Sequence, residues 1–123
     1  MPPRDPAARL LDALEHSNDV ALASVLSRDV RLVVDSGDDR GGELRGRALV
    51  ARELHDLVLR HPDAAWMAVH VNGAAGLAMR RFDGQVVGVL GIQGEPAIDL
   101  LWLSTAPRKL ASWNRRRPDP GLD

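Results

Sequence analysis

The hydrophobic positions of this chain change rhythm, from helical spacing broken by one strand-like run in the first half to repeated strand-like runs in the second. Asp5-Pro6 puts a capping carboxylate before a proline at the first helical position, and Leu10, Leu11 and Leu14 then share one side of a helix over residues 7–16. Ser17-Asn18 interrupts it. Asn18 or Asp19 caps a second short helix with apolar contacts at Val20, Leu22, Val25 and Leu26, which makes a helical hairpin. Residues 30–34 are apolar and β-branched at strand length, and they run into a dense cluster of turn formers at 35–42. Val50, Leu54, Leu57 and Val58 restore helical spacing from Arg47 to about Arg60, where His61-Pro62 stops it.

After Pro62 the pattern predicts four strands at residues 65–71, 77–82, 85–92 and 98–103, separated by Asn72-Gly73, Asp83-Gly84 and Gly94-Glu95-Pro96. Asp83-Gly84 is a two-residue hairpin signal, because both residues tolerate positive φ. Consecutive hairpins imply antiparallel strands. Ala106-Pro107 opens a last helical turn through Leu110 and Trp113, and residues 115–123 read as a flexible basic tail behind a single domain over 1–114. The sum is an α+β domain in which three N-terminal helices pack on a curved antiparallel sheet. A sheet bent that strongly, for which Gly88 and Gly91 are candidate bend points, encloses a cavity.

Charge and composition narrow the function classes. Sixteen basic and seventeen acidic residues leave a net charge of -1, so no overall field favours nucleic acid or a membrane surface. The absence of cysteine excludes disulfides, thiolate metal sites and a cysteine nucleophile, and suits a cytoplasmic protein. Residues 1–6 lack the apolar run of a signal peptide, and no stretch reaches the ~20 apolar residues of a membrane span. His55 and His61 do not share a helical face, and neither a metal-ligand spacing nor a phosphate-binding glycine pattern occurs, so no metal or cofactor is expected.

Three segments carry a resemblance. Val34-Asp35-Ser36-Gly37-Asp38-Asp39-Arg40 resembles an Asp-Gly-Gly-Gly-Lys/Arg segment, Val71-Asn72-Gly73-Ala74-Ala75-Gly76 a Val-Asn-Gly-x-Pro-Gly turn, and Ala106-Pro107-Arg108-Lys109-Leu110 an Asn-Pro-Asp-Lys-Leu segment. All three belong, in this order, to the C-terminal extension of SigJ-like extracytoplasmic-function sigma factors, a SnoaL-like branch of the NTF2-like superfamily. The sequence departs from that pattern at Ser36, Asp38, Ala75, Ala106 and Arg108, and has no room for the sigma domains themselves. The resemblance implies the cone-shaped NTF2-like, or cystatin-like, fold. It also implies two kinds of role. The sigma-factor extensions contact sigma domains and tune their activity, while other relatives are polyketide cyclases, isomerases and epoxide hydrolases.

The candidate acid/base groups are Asp99, His70 and Asp35. Asp35 ends the first strand, as a general base at a cavity rim or as an Asx cap of the next turn. His70 and Asn72 fall by alternation on one side of their strand with Trp66, facing either the cavity or outward. Met67, Val69 and Val71 make the better core side, which favours the outward direction. Asp99 lies between Ile98 and Leu100, and as a buried carboxylate it requires a partner such as Arg80 or Arg81. Trp66, Asn72, Met79, Trp102 and Arg80 are the expected ligand-binding residues, with at least one of Trp66 and Trp102 filling the core. No tyrosine is present, which weakens the hydrolase comparison. The expectation is a domain that binds a small apolar molecule or a protein partner, dimeric through its sheet face. The alternative is an Asp/His acid–base enzyme.

Overall fold

The computed structural model describes residues 5–38 and 41–115. Asp39 and Arg40 of the first motif and the tail from residue 116 lie outside the described residues. Helix α1 (Pro6–Glu15) begins as its sequence requires, with the Asp5 carboxylate accepting the Ala7 N–H at 3.4 Å and proline in the first turn. Asn18 caps α2 (Asp19–Val25) by accepting the Ala21 N–H at 3.0 Å. The chain then passes directly into β1 (Leu26–Asp35), followed by β2 (Gly42–Arg45) and α3 (Arg47–Arg60). Strands β3 (Ala64–Val71), β4 (Ala74–Arg81), β5 (Val86–Gln93) and β6 (Ile98–Ser104) form the meander, and α4 (Pro107–Arg115) closes the described chain.

The six strands make one sheet in the order β2-β1-β6-β5-β4-β3. The sheet is mixed, not antiparallel: β1 and β6 pair in parallel, from Arg31 opposite Leu100 to Asp35 opposite Ser104, while the other neighbours are antiparallel. The physical reason is the long connection through β2, α3 and the three strands β3–β5, which brings β6 back beside β1 in the same direction. Strand β2 escapes sequence reading because it is short, largely exposed and carries one apolar residue, Leu44, after a run of turn formers.

The face on which α1–α3 pack holds the main core. Leu10, Val50 and Leu54 from the helices meet Leu32, Leu77, Leu90, Leu101 and Leu103 from the strands, all fully or almost fully buried. Trp66 joins this core, so the side of β3 carrying Trp66, Ala68 and His70 faces the helices, opposite to the sequence expectation. The other face carries a smaller cluster, in which Leu110 of α4 covers Ala78, Val86 and Val89, with Met67, Val69, Val71 and Trp113 packed alongside. Met67, Val69 and Val71 thus belong to the face on which α4 packs, partly buried beside the β5 residues that α4 itself covers. Asn72 and Gly73 form the β3–β4 turn with φ of 53 and 82, whereas at Asp83-Gly84 only Gly84 is left-handed, at 97. That second connection is a longer loop. The Arg81 N–H is accepted by the Gln85 carbonyl at 2.8 Å, and the β4–β5 register shifts between Met79 and Arg80, opposite Gly88 and Val86.

Candidate functional site

The interior of the cone is occupied by its own side chains. Met79 is fully buried and Trp66 is 7% exposed, both packed with Leu54, Leu77 and Leu101. These two expected ligand-binding residues are core. Among the described residues the buried indole N–H of Trp66 has no acceptor, nor has Nε of the half-buried Arg80. Two open clefts of about 450 and 410 Å³ lie outside the core, one on each face of the sheet.

The second cleft is a groove on the face that α4 covers in part. Its floor follows from the strand register: Gly91 of β5, Trp102 of β6 and Val33 of β1 stand in one cross-strand row, which continues on β4 to Gly76 outside the groove's lining. Two neighbouring glycines leave the row bare, and larger side chains lean over them. A Cβ on Gly91 would lie 3.3 Å from the Trp102 ring, and one on Gly76 would lie 2.7 Å from a Val71 methyl group. Trp102 remains 43% exposed. Val33, Val71 and Val89 supply apolar walls, while Asp35, Asn72, Ser104 and Lys109 supply the polar rim.

At that rim the Asp35 carboxylate accepts the Gly37 N–H at 3.2 Å, the Asx cap anticipated for it, and is bound by the Lys109 ammonium. The Lys109 hydrogen bond, reinforced by the Gly37 N–H, holds the Asp35 pKa below the usual carboxylate range against a smaller opposing effect of desolvation. Gly37 packs under Ala106, whose Cβ would be 3.0 Å from a Cβ added there, and the Asp35 carbonyl accepts the Thr105 N–H at 2.9 Å. Asn72 enters from the β3–β4 turn. All three resemblance-bearing segments thus contribute to the lining of one groove, Asp35 and Lys109 at one end and Val71 and Asn72 toward the other, although Val34 and Leu110 lie 76 positions apart in the chain.

The remaining candidates are placed elsewhere. His70 is exposed and lines the first cleft, between α1 and the β3–β4 strands, with Asp5, Asp12 and Glu15. Alternation would have put Asn72 beside it, but the left-handed turn sends Asn72 to the opposite face. Asp99 is exposed, not buried: the register between β1 and β6 shifts ahead of Leu100, which lets Ile98 and Leu101 both reach the core. Among the described residues neither Arg80 nor Arg81 pairs with Asp99; Arg81 is taken by Asp63 at 2.8 Å. No group of three or more His, Cys, Asp or Glu residues among the described residues is arranged to hold a metal ion.

The structure therefore brings Asp35, Asn72 and Trp102 together and separates them from His70 and Asp99. Lys109, Gly91, Val33 and Val89 were not identified from sequence as site residues. Lys109 alone gave a signal, as the lysine of the third motif, while the others depend on a register no single segment reveals.

No family model and no curated protein matches the chain. Among solved structures it is similar to the extracytoplasmic function sigma factor SigJ of Mycobacterium tuberculosis, with a TM-score of 0.67 at 21% identity over 86% of this chain and 43% of that one. It is also similar to a protein of unknown function with a cystatin-like fold from Methylobium petroleophilum, with a TM-score of 0.59 at 14% identity over 80% and 71% of the two chains. A SnoaL-like protein of unknown function from Burkholderia thailandensis gives 0.54 at 15% identity over 79% and 88%. The fold is the NTF2-like, cystatin-like one expected from the motifs. These identities establish architecture, and the chain spans less than half the length of the SigJ structure.

Proposed function

We propose that this domain is a binding module for a protein partner and works through the groove on the α4 face of the sheet. The observation that carries this reading is the contrast between a cone filled by Met79, Trp66 and leucines and an open groove of about 410 Å³ with a large, part-exposed Trp102 at its centre. Large aromatic side chains part-exposed in apolar clefts are favoured anchors for protein contacts. The convergence of the three sigma-factor-like segments on the same groove adds the likeness to SigJ, and suggests a regulatory partner of that class in the cytoplasm. Among the described residues no helix is long and apolar enough to cross a membrane.

The enzyme alternative has less support. Asp35 is tied to Lys109 and held as a carboxylate, which makes it a weak base, and the groove that it lines is separate from the cleft that His70 lines.

An apolar naphthalene-sulfonate probe, titrated against the amide NMR spectrum, tests the location directly. Groove binding moves the signals of Val33, Val71, Val89, Gly91 and Trp102. Movement confined to Leu54, Met79 and Leu101 would return the site to the cone and sink the proposal.

A further inference from the structure

Resting on that reading, we infer that the groove selects a partner segment in which a leucine or aromatic side chain stands beside a carboxylate that reaches the Arg31–Arg45 pair. The apolar half of the recognition is the Gly91–Trp102–Val33 row, where the bare glycine lets the indole lie low and leaves a shelf for one large apolar side chain. The acidic half follows from the charges around that shelf.

Two residues before Val33 on the same strand face stands Arg31, about 7 Å along the strand. Arg31 and its register partner Arg45 converge on one carboxylate, Glu43, at 3.0 and 3.2 Å. Two guanidiniums share one negative charge, which leaves a surplus of one positive charge. Arg45 commits only one of its five N–H groups to Glu43 and is 69% exposed, so it retains donors aimed at solvent. On the other side of Trp102, Lys109 is neutralised by Asp35, so that end carries no surplus charge from the pair. The groove thus has an apolar floor and a cationic excess at its Arg31–Arg45 end, the complement of a segment carrying an apolar residue beside an acid. A guanidinium pair with free N–H donors suits carboxylates better than an ammonium would, because its fork geometry matches two oxygens.

The test uses the whole chain and short synthetic peptides that carry a central leucine flanked by glutamates, by lysines or by serines, each titrated against the amide NMR spectrum. The glutamate peptide is expected to perturb the groove residues and to bind about fivefold to tenfold more tightly than the serine peptide, a preference that shrinks as salt is raised. Arg45→Gln with Arg31→Gln should erase the glutamate preference and leave the residual leucine-dependent binding, while Trp102→Ala should remove binding of every peptide. If the peptides bind the groove equally, or the lysine peptide binds best, the acidic preference is overturned while the groove reading stands. If no peptide perturbs the groove, or if a second copy of the chain occupies the face and sedimentation reports a dimer that excludes the peptides, both fall. Mapping on the unaltered protein keeps the result independent of how any variant folds.

Discussion

At the scale of single residues, the two glycines of the cross-strand row have different jobs, and their substitutions separate fold from site. Gly76 is required by the backbone: an added Cβ would lie 2.7 Å from the Leu90 carbonyl oxygen on the neighbouring strand, which cannot move without the sheet. Gly76→Ala is expected to cost about 1–3 kcal/mol in urea unfolding, in the manner of an overpacked core. A Cβ on Gly91 would press on the edge of the Trp102 ring, at 3.3 Å, with the Trp102 Cβ at 3.8 Å and a Val71 methyl group at 4.0 Å in ordinary contact. That part-exposed ring has solvent to swing into. Gly91→Val should therefore change stability by less than about 1 kcal/mol. The same substitution should abolish binding of the apolar probe, because the shelf is filled. Loss of the fold in Gly91→Val, or retained probe binding, would contradict this account of the row. Neither role is visible in the sequence, where Gly91 looks like a bend point in a strand and Gly76 like the last residue of a turn motif.

At the scale of elements, α4 is held to the sheet by contacts at its two ends and by Leu110 between them. At its start Lys109 binds Asp35, and at its end the Asn114 carboxamide bonds both backbone groups of Val86, accepting its N–H at 2.8 Å and donating to its carbonyl at 3.3 Å. Asn114 does there what a neighbouring strand would do, since β6 pairs with β5 only from Val89 onward. Asn114→Ala leaves two part-buried backbone groups unpaired, so α4 should open more readily by about 1–3 kcal/mol, read as faster amide exchange at Val86 and in α4. The Lys109 end is pH-dependent. Because the folded-state pKa of Asp35 is depressed, its ion pair supports docking above the ordinary carboxylate range, about 3.9, and that support is lost as pH falls through the lower folded value. Exchange in α4 should accelerate over that acid window, and Asp35→Asn should flatten the profile; an unchanged profile in the variant would remove Asp35 as the cause. The helix itself was legible, from Ala106-Pro107 and the pair Leu110 and Trp113. Its place was not, because Asn114 reads as an unremarkable polar residue and Val86 as an ordinary strand residue until the chain is folded.

At the scale of the whole molecule, the order of helices and strands was legible because each element carries its own periodicity and caps, and three short motifs pointed to the NTF2-like fold. What lies between elements was not. The parallel pairing of β1 with β6, the exposure of Asp99 and the filling of the cone all depend on how distant segments register, and period-two alternation fails wherever the register shifts, as it does ahead of Leu100. Asp99 between Ile98 and Leu100 reads as buried by its neighbours, yet the irregular pairing turns it out to solvent. The filled cone makes a prediction of its own. Leu101 is fully buried at the centre of the helix-packed face, beside Leu32 on β1 and Ile92 on β5. In an interior already close-packed, Leu101→Ala should cost about 2–5 kcal/mol in urea unfolding and leave an apolar void that takes up benzene, seen as a benzene-dependent rise in Tm that the parent protein lacks. If the parent protein responds to benzene as strongly as the variant, the cone already holds a cavity, and a ligand site inside it regains precedence over the groove.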